Sequence, residues 1–124
     1  MYSRVMSALV QGVTGVTVSV ETDINDGLPM FNMVGFLSSC VKEAAERVRT
    51  ALRNSGYSLP PKRITINLFP ADIRKEGTAF DLPIATGILA SMGIIPVDSI
   101  ENILILGELS PNIKIFSMLS TGII

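Results

Sequence analysis

Residues 14 to 24, TGVTVSVETDI, alternate apolar and polar positions, with Val16, Val18 and Val20 on one face and Thr17, Ser19 and Glu21 on the other. A period of two marks a half-buried strand. The segment at 3 to 11 is its expected partner across GVTG, and NDGLP at 25 to 29 separates it from a third strand-like stretch, MFNMVG. This predicts three N-terminal strands running as a meander. From Ser38 the period changes, because Val41, Ala45, Val48 and Leu52 recur at helical spacing and Ala44 and Ala51 widen the stripe. Ser38 or Ser39 is the expected cap of the first turn, and Gly56 in RNSGY the left-handed residue that ends the helix.

SLPPKR then forces an extended connection, and RITINLF alternates Ile64, Ile66 and Leu68 with Thr65 and Asn67. This reads as a fourth, central strand. A second helix opens near Asp81, its expected N-cap. It tolerates Pro83 in its first turn and runs through Ile84, Ala85, Ile88, Leu89 and Met92 to Gly93. NILILGEL, 102 to 109, reads as a buried strand. The order is therefore βββαβαβ, which predicts an α/β domain of the α+β two-layer kind. A mixed sheet carries two helices on one face, in a single domain spanning residues 1 to 124.

Composition narrows the chemistry. Hydrophobic residues make up 48% and charged residues 17%, so much of the chain is expected inside one core rather than disordered. The uncharged run Leu82 to Val97 falls short of the roughly 20 apolar residues of a membrane span and reads as a core helix. The N-terminal stretch is broken by Arg4, Ser7 and Gln11, unlike a signal peptide, and the expected setting is the cytosol with no membrane partner. Histidine is absent and Cys40 is the single cysteine. That removes His-dependent catalytic dyads and nearly every metal site built on imidazole or thiolate, and leaves Cys40 as a small apolar group. Asp72, Glu76 and Asp81 read as solvated loop charge, so no metal site is expected.

Charge is unevenly placed. Residues 42 to 75 hold eight of the ten basic side chains against three acids, a local excess of +5 in a chain whose net charge is −1. At about 100° per residue, Lys42, Glu46, Arg49 and Arg53 share one side of the first helix. Two readings stay open. Lys42, Arg49 and Arg53, with Lys62 and Arg63 of PPKR and Arg74 and Lys75 of IRKEG, form a footprint for nucleic-acid phosphates. Alternatively, the helix face is merely solvated and held by Glu43–Arg47 and Lys42–Glu46 pairs.

Three stretches carry a resemblance: DGLPMFNMVGF at 26 to 36, VKEAAERVRTALRNSGYSLPPKRITINLFPADIRKEGTAFDLPIA at 41 to 85, and LGELS at 106 to 110. Across roughly residues 3 to 110 the chain resembles the N-terminal domain of the magnesium-chelatase-like, competence-related AAA+ ATPase family. The resemblance implies a ribosomal protein S5 domain 2-like fold, shared with the proteolytic domain of Lon. It also implies a downstream AAA+ module that binds ATP and magnesium, and a motor that handles DNA during recombination. No Walker pattern occurs in this chain, so no cofactor is expected in it. By the same resemblance a Lon-type nucleophile falls at or beside Ala79, with Thr78 offset, and the only lysine after Lys75 is Lys114. The resulting expectation is a non-catalytic accessory or assembly domain with no catalytic residues. Its expected partners are its own AAA+ module, DNA and a further copy of itself. A Lon-like peptidase or peptide-binding remnant around Thr78, and an oligomerisation module, are the alternatives. The ending ELSPNIKIFSMLSTGII departs from the family pattern and is compatible with a fragment or with a truncated paralogue.

Overall fold

The computed structural model describes residues 1 to 110. Four strands, β1 (Tyr2–Gln11), β2 (Thr14–Asn25), β3 (Met30–Val34) and β4 (Arg63–Phe69), form one mixed sheet in the order β1-β2-β4-β3. The hairpin joining β1 to β2 closes between Gln11 and Thr14, where Gly12 supplies the positive φ of 65° that a two-residue connection demands. β2 and β4 pair antiparallel, whereas β3 and β4 pair parallel.

The expected meander is therefore corrected. β3 does not return along β2, because β4 inserts between them with both of its edges paired. A parallel pair cannot be joined by a tight turn and needs a crossover, which the intervening helical segment provides. That segment is interrupted at Glu43, giving α1 (Ser39–Lys42) and α2 (Ala44–Asn54) instead of one continuous helix. The Ser38 hydroxyl caps the first turn by accepting from the Val41 amide at 3.3 Å, and Gly56 turns the chain away with φ of 90°.

Strand alternation decides which face of the sheet is buried. Val5, Val18, Val20, Ile24, Ile64, Ile66 and Leu68 all point to one side and are lost to solvent. They share one core with Val48 and Leu52 of α2 and with Ile84, Ile88 and Leu89 of the last helix, α3 (Asp81–Ser91). Every residue of α3 is buried, which explains why its sequence is largely apolar, with Asp81, Thr86 and Ser91 the polar exceptions. It lies tight against β1 and β2. A Cβ on Gly87 would meet Thr22 Oγ1 at 2.5 Å, and the Ser3 hydroxyl donates to the Gly87 carbonyl at 2.7 Å.

The expected strand at 102 to 109 forms no ladder among the described residues, where an isolated parallel bridge, Met6 to Leu104, joins it to the sheet edge. Its backbone instead serves the start of α3. The Gly107 carbonyl accepts from the Leu82 amide at 2.9 Å, and the Gly107 amide donates to Ala79 at 2.8 Å. A helix start leaves four amides without internal partners, and here a neighbouring chain segment takes one of them. Among the described residues, no helix is long and apolar enough to cross a membrane.

Candidate nucleic-acid interface

The seven basic residues expected to contact phosphate do not converge on one surface. Arg49 and Lys62 do meet. They border a shallow hollow of about 270 Å³ whose remaining walls include Met30, Phe31, Leu59 and Pro60. Helix α2 presents Arg49, whose guanidinium lies 5.6 Å from the centroid of the Phe31 ring and is drawn to its electron-rich face. Lys62 is held by the rigid Pro60–Pro61 pair and by its own amide, which donates to the Pro60 carbonyl at 2.7 Å. Arg63 follows it at the start of β4, opposite Met30 in the sheet register, and is exposed.

Lys42 and Arg53 are exposed at the ends of α1 and α2. Arg53 sits in the last turn of its helix, where the dipole favours a cation. Arg74 lies elsewhere, pairing with Glu76 at 3.3 Å beside a second cavity of about 590 Å³ bordered by Leu9, Val10, Ala79 and Phe80.

Lys75 is removed from the interface. It has no exposed surface, and its ammonium donates to the Pro70 carbonyl. Burial lowers its pKa, with Asp72 partly opposing the shift. The cause is backbone stitching: the Lys75 amide donates to Phe36 at 2.8 Å and its carbonyl accepts from Ser38 at 2.9 Å, which draws the side chain inward.

The pairing expected within the first helix is different as well. Arg47 turns away from Glu43 and grips Asp81 with two hydrogen bonds of 2.7 and 3.0 Å, while also donating to the Cys40 carbonyl at 2.9 Å. That hydrogen bond to Asp81 is the main reason the Arg47 pKa is raised. Asp81 in turn accepts from the Leu109 amide at 3.2 Å. It is not the N-cap of α3: Phe80 holds that position without a side-chain hydrogen bond, and the Asp81 carboxylate is fully occupied elsewhere. Asp81 is thus a clip fastening α2, α3 and the 107–109 segment. Cys40 is half-buried rather than a fully enclosed core group.

Sequence reading missed this clip and the apolar floor of the hollow. One signal was available for the clip, since Arg47 lies one position before Val48 on the border of the apolar stripe. Nothing in the sequence could reveal the hollow, whose walls come from β3, α2 and the 59–62 connection. Among the described residues no group of three or more His, Cys, Asp or Glu side chains is placed to hold a metal.

Residues 20–119 match the family model described as subunit ChlI of Mg-chelatase. The chain belongs to this magnesium-chelatase-like family. It is 43% identical over 110 residues to competence protein ComM of Haemophilus influenzae, covering 89% of this chain and 21% of that protein. It is 46% identical over 99 residues to YifB of Escherichia coli, covering 80% of this chain and 20% of the relative. A Mycobacterium tuberculosis protein, Rv2897c, is 39% identical over 107 residues, covering 86% of this chain and 21% of its own length. The chain thus spans about a fifth of the length of the relatives it matches. Within this magnesium-chelatase-like chain, the matched residues include the Arg47–Asp81 clip and the Arg49–Lys62 hollow.

Proposed function

We propose that this chain serves as a non-catalytic accessory domain of a magnesium-chelatase-like AAA+ protein, with a fold of the ribosomal protein S5 domain 2 type, and that it contacts DNA for the motor. ATP and magnesium belong to the AAA+ module of the longer protein, which is also the domain's first partner, in the cytosol. One observation carries the DNA contact: Arg49 and Lys62 border the same hollow, and each is paired with a well-exposed carboxylate, Glu46 or Asp26, outside its lining. Arg63, Arg53 and Lys42 are exposed as well. Such a surface meets phosphates without reading sequence, and its affinity falls steeply with salt.

The peptidase alternative has less support. Serine or threonine nucleophiles need a base within hydrogen-bond reach. Here the Lys75 ammonium is spent on the Pro70 carbonyl, and Lys114, the only lysine after it, lies outside the described residues. The test of the DNA reading is binding to labelled oligonucleotides across a salt series. Replacing Arg49 and Arg53 by Glu should weaken binding about tenfold or more and flatten the salt dependence by about one unit for each phosphate that no longer meets a cation. Unchanged affinity would remove this surface from the interface.

A further inference from the structure

A surface that only neutralises phosphates has no need of apolar side chains, and the hollow beside Arg49 and Lys62 is lined by several, among them Met30, Leu59 and Pro60. Building on the DNA-contacting role proposed above, we infer that this hollow receives one unstacked base of single-stranded DNA, so that the domain prefers single strands to duplex.

Size is the first argument. About 270 Å³ lies just under the roughly 300 Å³ at which small-molecule sites begin, the scale of one nucleotide unit rather than of a stacked pair. The lining is the second. Met30, Leu59 and Pro60 offer apolar surface to the base, and the Arg49 guanidinium offers a plane to stack on. One side of that plane is already occupied, since Phe31 holds the guanidinium from beneath. The side chain is still 42% exposed, which leaves surface for a ligand.

Charge complementarity is the third argument. Arg49 and Lys62 stand at the border where the phosphates flanking an inserted base must pass. Their current partners compete weakly: Glu46 and Asp26 are 74% and 94% exposed, and ion pairs between solvated groups contribute little. A phosphate can replace either carboxylate without leaving a buried charge behind. The prolines at 29, 60 and 61 and the hydrogen bond from the Lys62 amide to the Pro60 carbonyl fix the walls in advance, which reduces the ordering cost of binding. Duplex DNA keeps its bases stacked and can use only the cations.

The experiment compares three probes on the whole chain: oligothymidylate, an abasic strand with the same number of phosphates, and a duplex of equal length. Oligothymidylate should bind about tenfold tighter than the abasic strand, the gain expected of one stacked base. Arg49→Lys, which keeps the charge and removes the plane, should bring the two single strands to equal affinity. Met30→Ser, at a position 45% exposed and so tolerant of change, should narrow the difference without altering the salt dependence. Equal affinity of the unmodified chain for oligothymidylate and the abasic strand overturns the base-inserting hollow and leaves phosphate contact standing. Failure to bind any of the three probes overturns both readings.

Discussion

Arg47 and Arg49 leave the same helix two residues apart, and each ends in an ion pair. Arg47 reaches inward to a carboxylate with 1% of its side chain exposed, makes three hydrogen bonds and shares its partner with a backbone amide. Arg49 lies outward against an aromatic ring, paired with a glutamate that stays 74% exposed. The difference is solvent. A pair removed from water cannot lose one member without leaving the other charge stranded, whereas a pair kept in water can exchange partners. Arg47 therefore belongs to the scaffold and Arg49 to whatever the scaffold presents.

The largest effect should come from breaking the inner pair. Arg47→Ala should destabilise the chain by about 3–5 kcal/mol, because Asp81 is left charged, buried and short of its main partner. Urea unfolding monitored by circular dichroism checks this, and a loss below about 1 kcal/mol would erase the contrast between the two arginines.

A smaller effect of different sign tests a third cation, the buried Lys75. Lys75 lacks exposed surface and has a carbonyl for a partner rather than a carboxylate. With its folded pKa below the unfolded value of 10.5, the unfolded chain holds more protons between those two values. Its contribution to stability should therefore rise with pH through that window and be complete above it. Lys75→Met should raise stability near neutral pH by about 1 kcal/mol and abolish this alkaline rise. Thermal unfolding from pH 7 to 11 reads both.

The smallest stability effect belongs to the outer pair. Replacing Arg49 and Lys62 together by Ala should change unfolding free energy by no more than about 0.5 kcal/mol each, as for other solvated positions. The same double variant should lose most of its DNA affinity, and a large loss of stability would instead make the hollow part of the scaffold.

How much of this was legible beforehand depends on whether the signal was local. The alternation in β2 and β4, the stripe of α2, the Ser38 cap and the Gly56 stop were all readable, since each depends on residues within one or two turns of chain. Clustering of basic residues was readable as well, and it led to Arg49 and Lys62. It also led to Lys75, because a sequence gives a charge without its exposure.

The sequence by itself determined the periods of the elements, the largely apolar character of α3 and the absence of histidine chemistry. The tertiary structure decided where β4 entered the sheet, which carboxylate Arg47 took, and which of the neighbouring residues Arg74 and Lys75 faced water. Those outcomes rest on contacts between segments far apart in the chain. Asp81 looked like a helix cap when read with its neighbours. In the fold, Arg47 from thirty-four residues upstream binds it, and the Leu82 amide at the helix start donates to the carbonyl of Gly107.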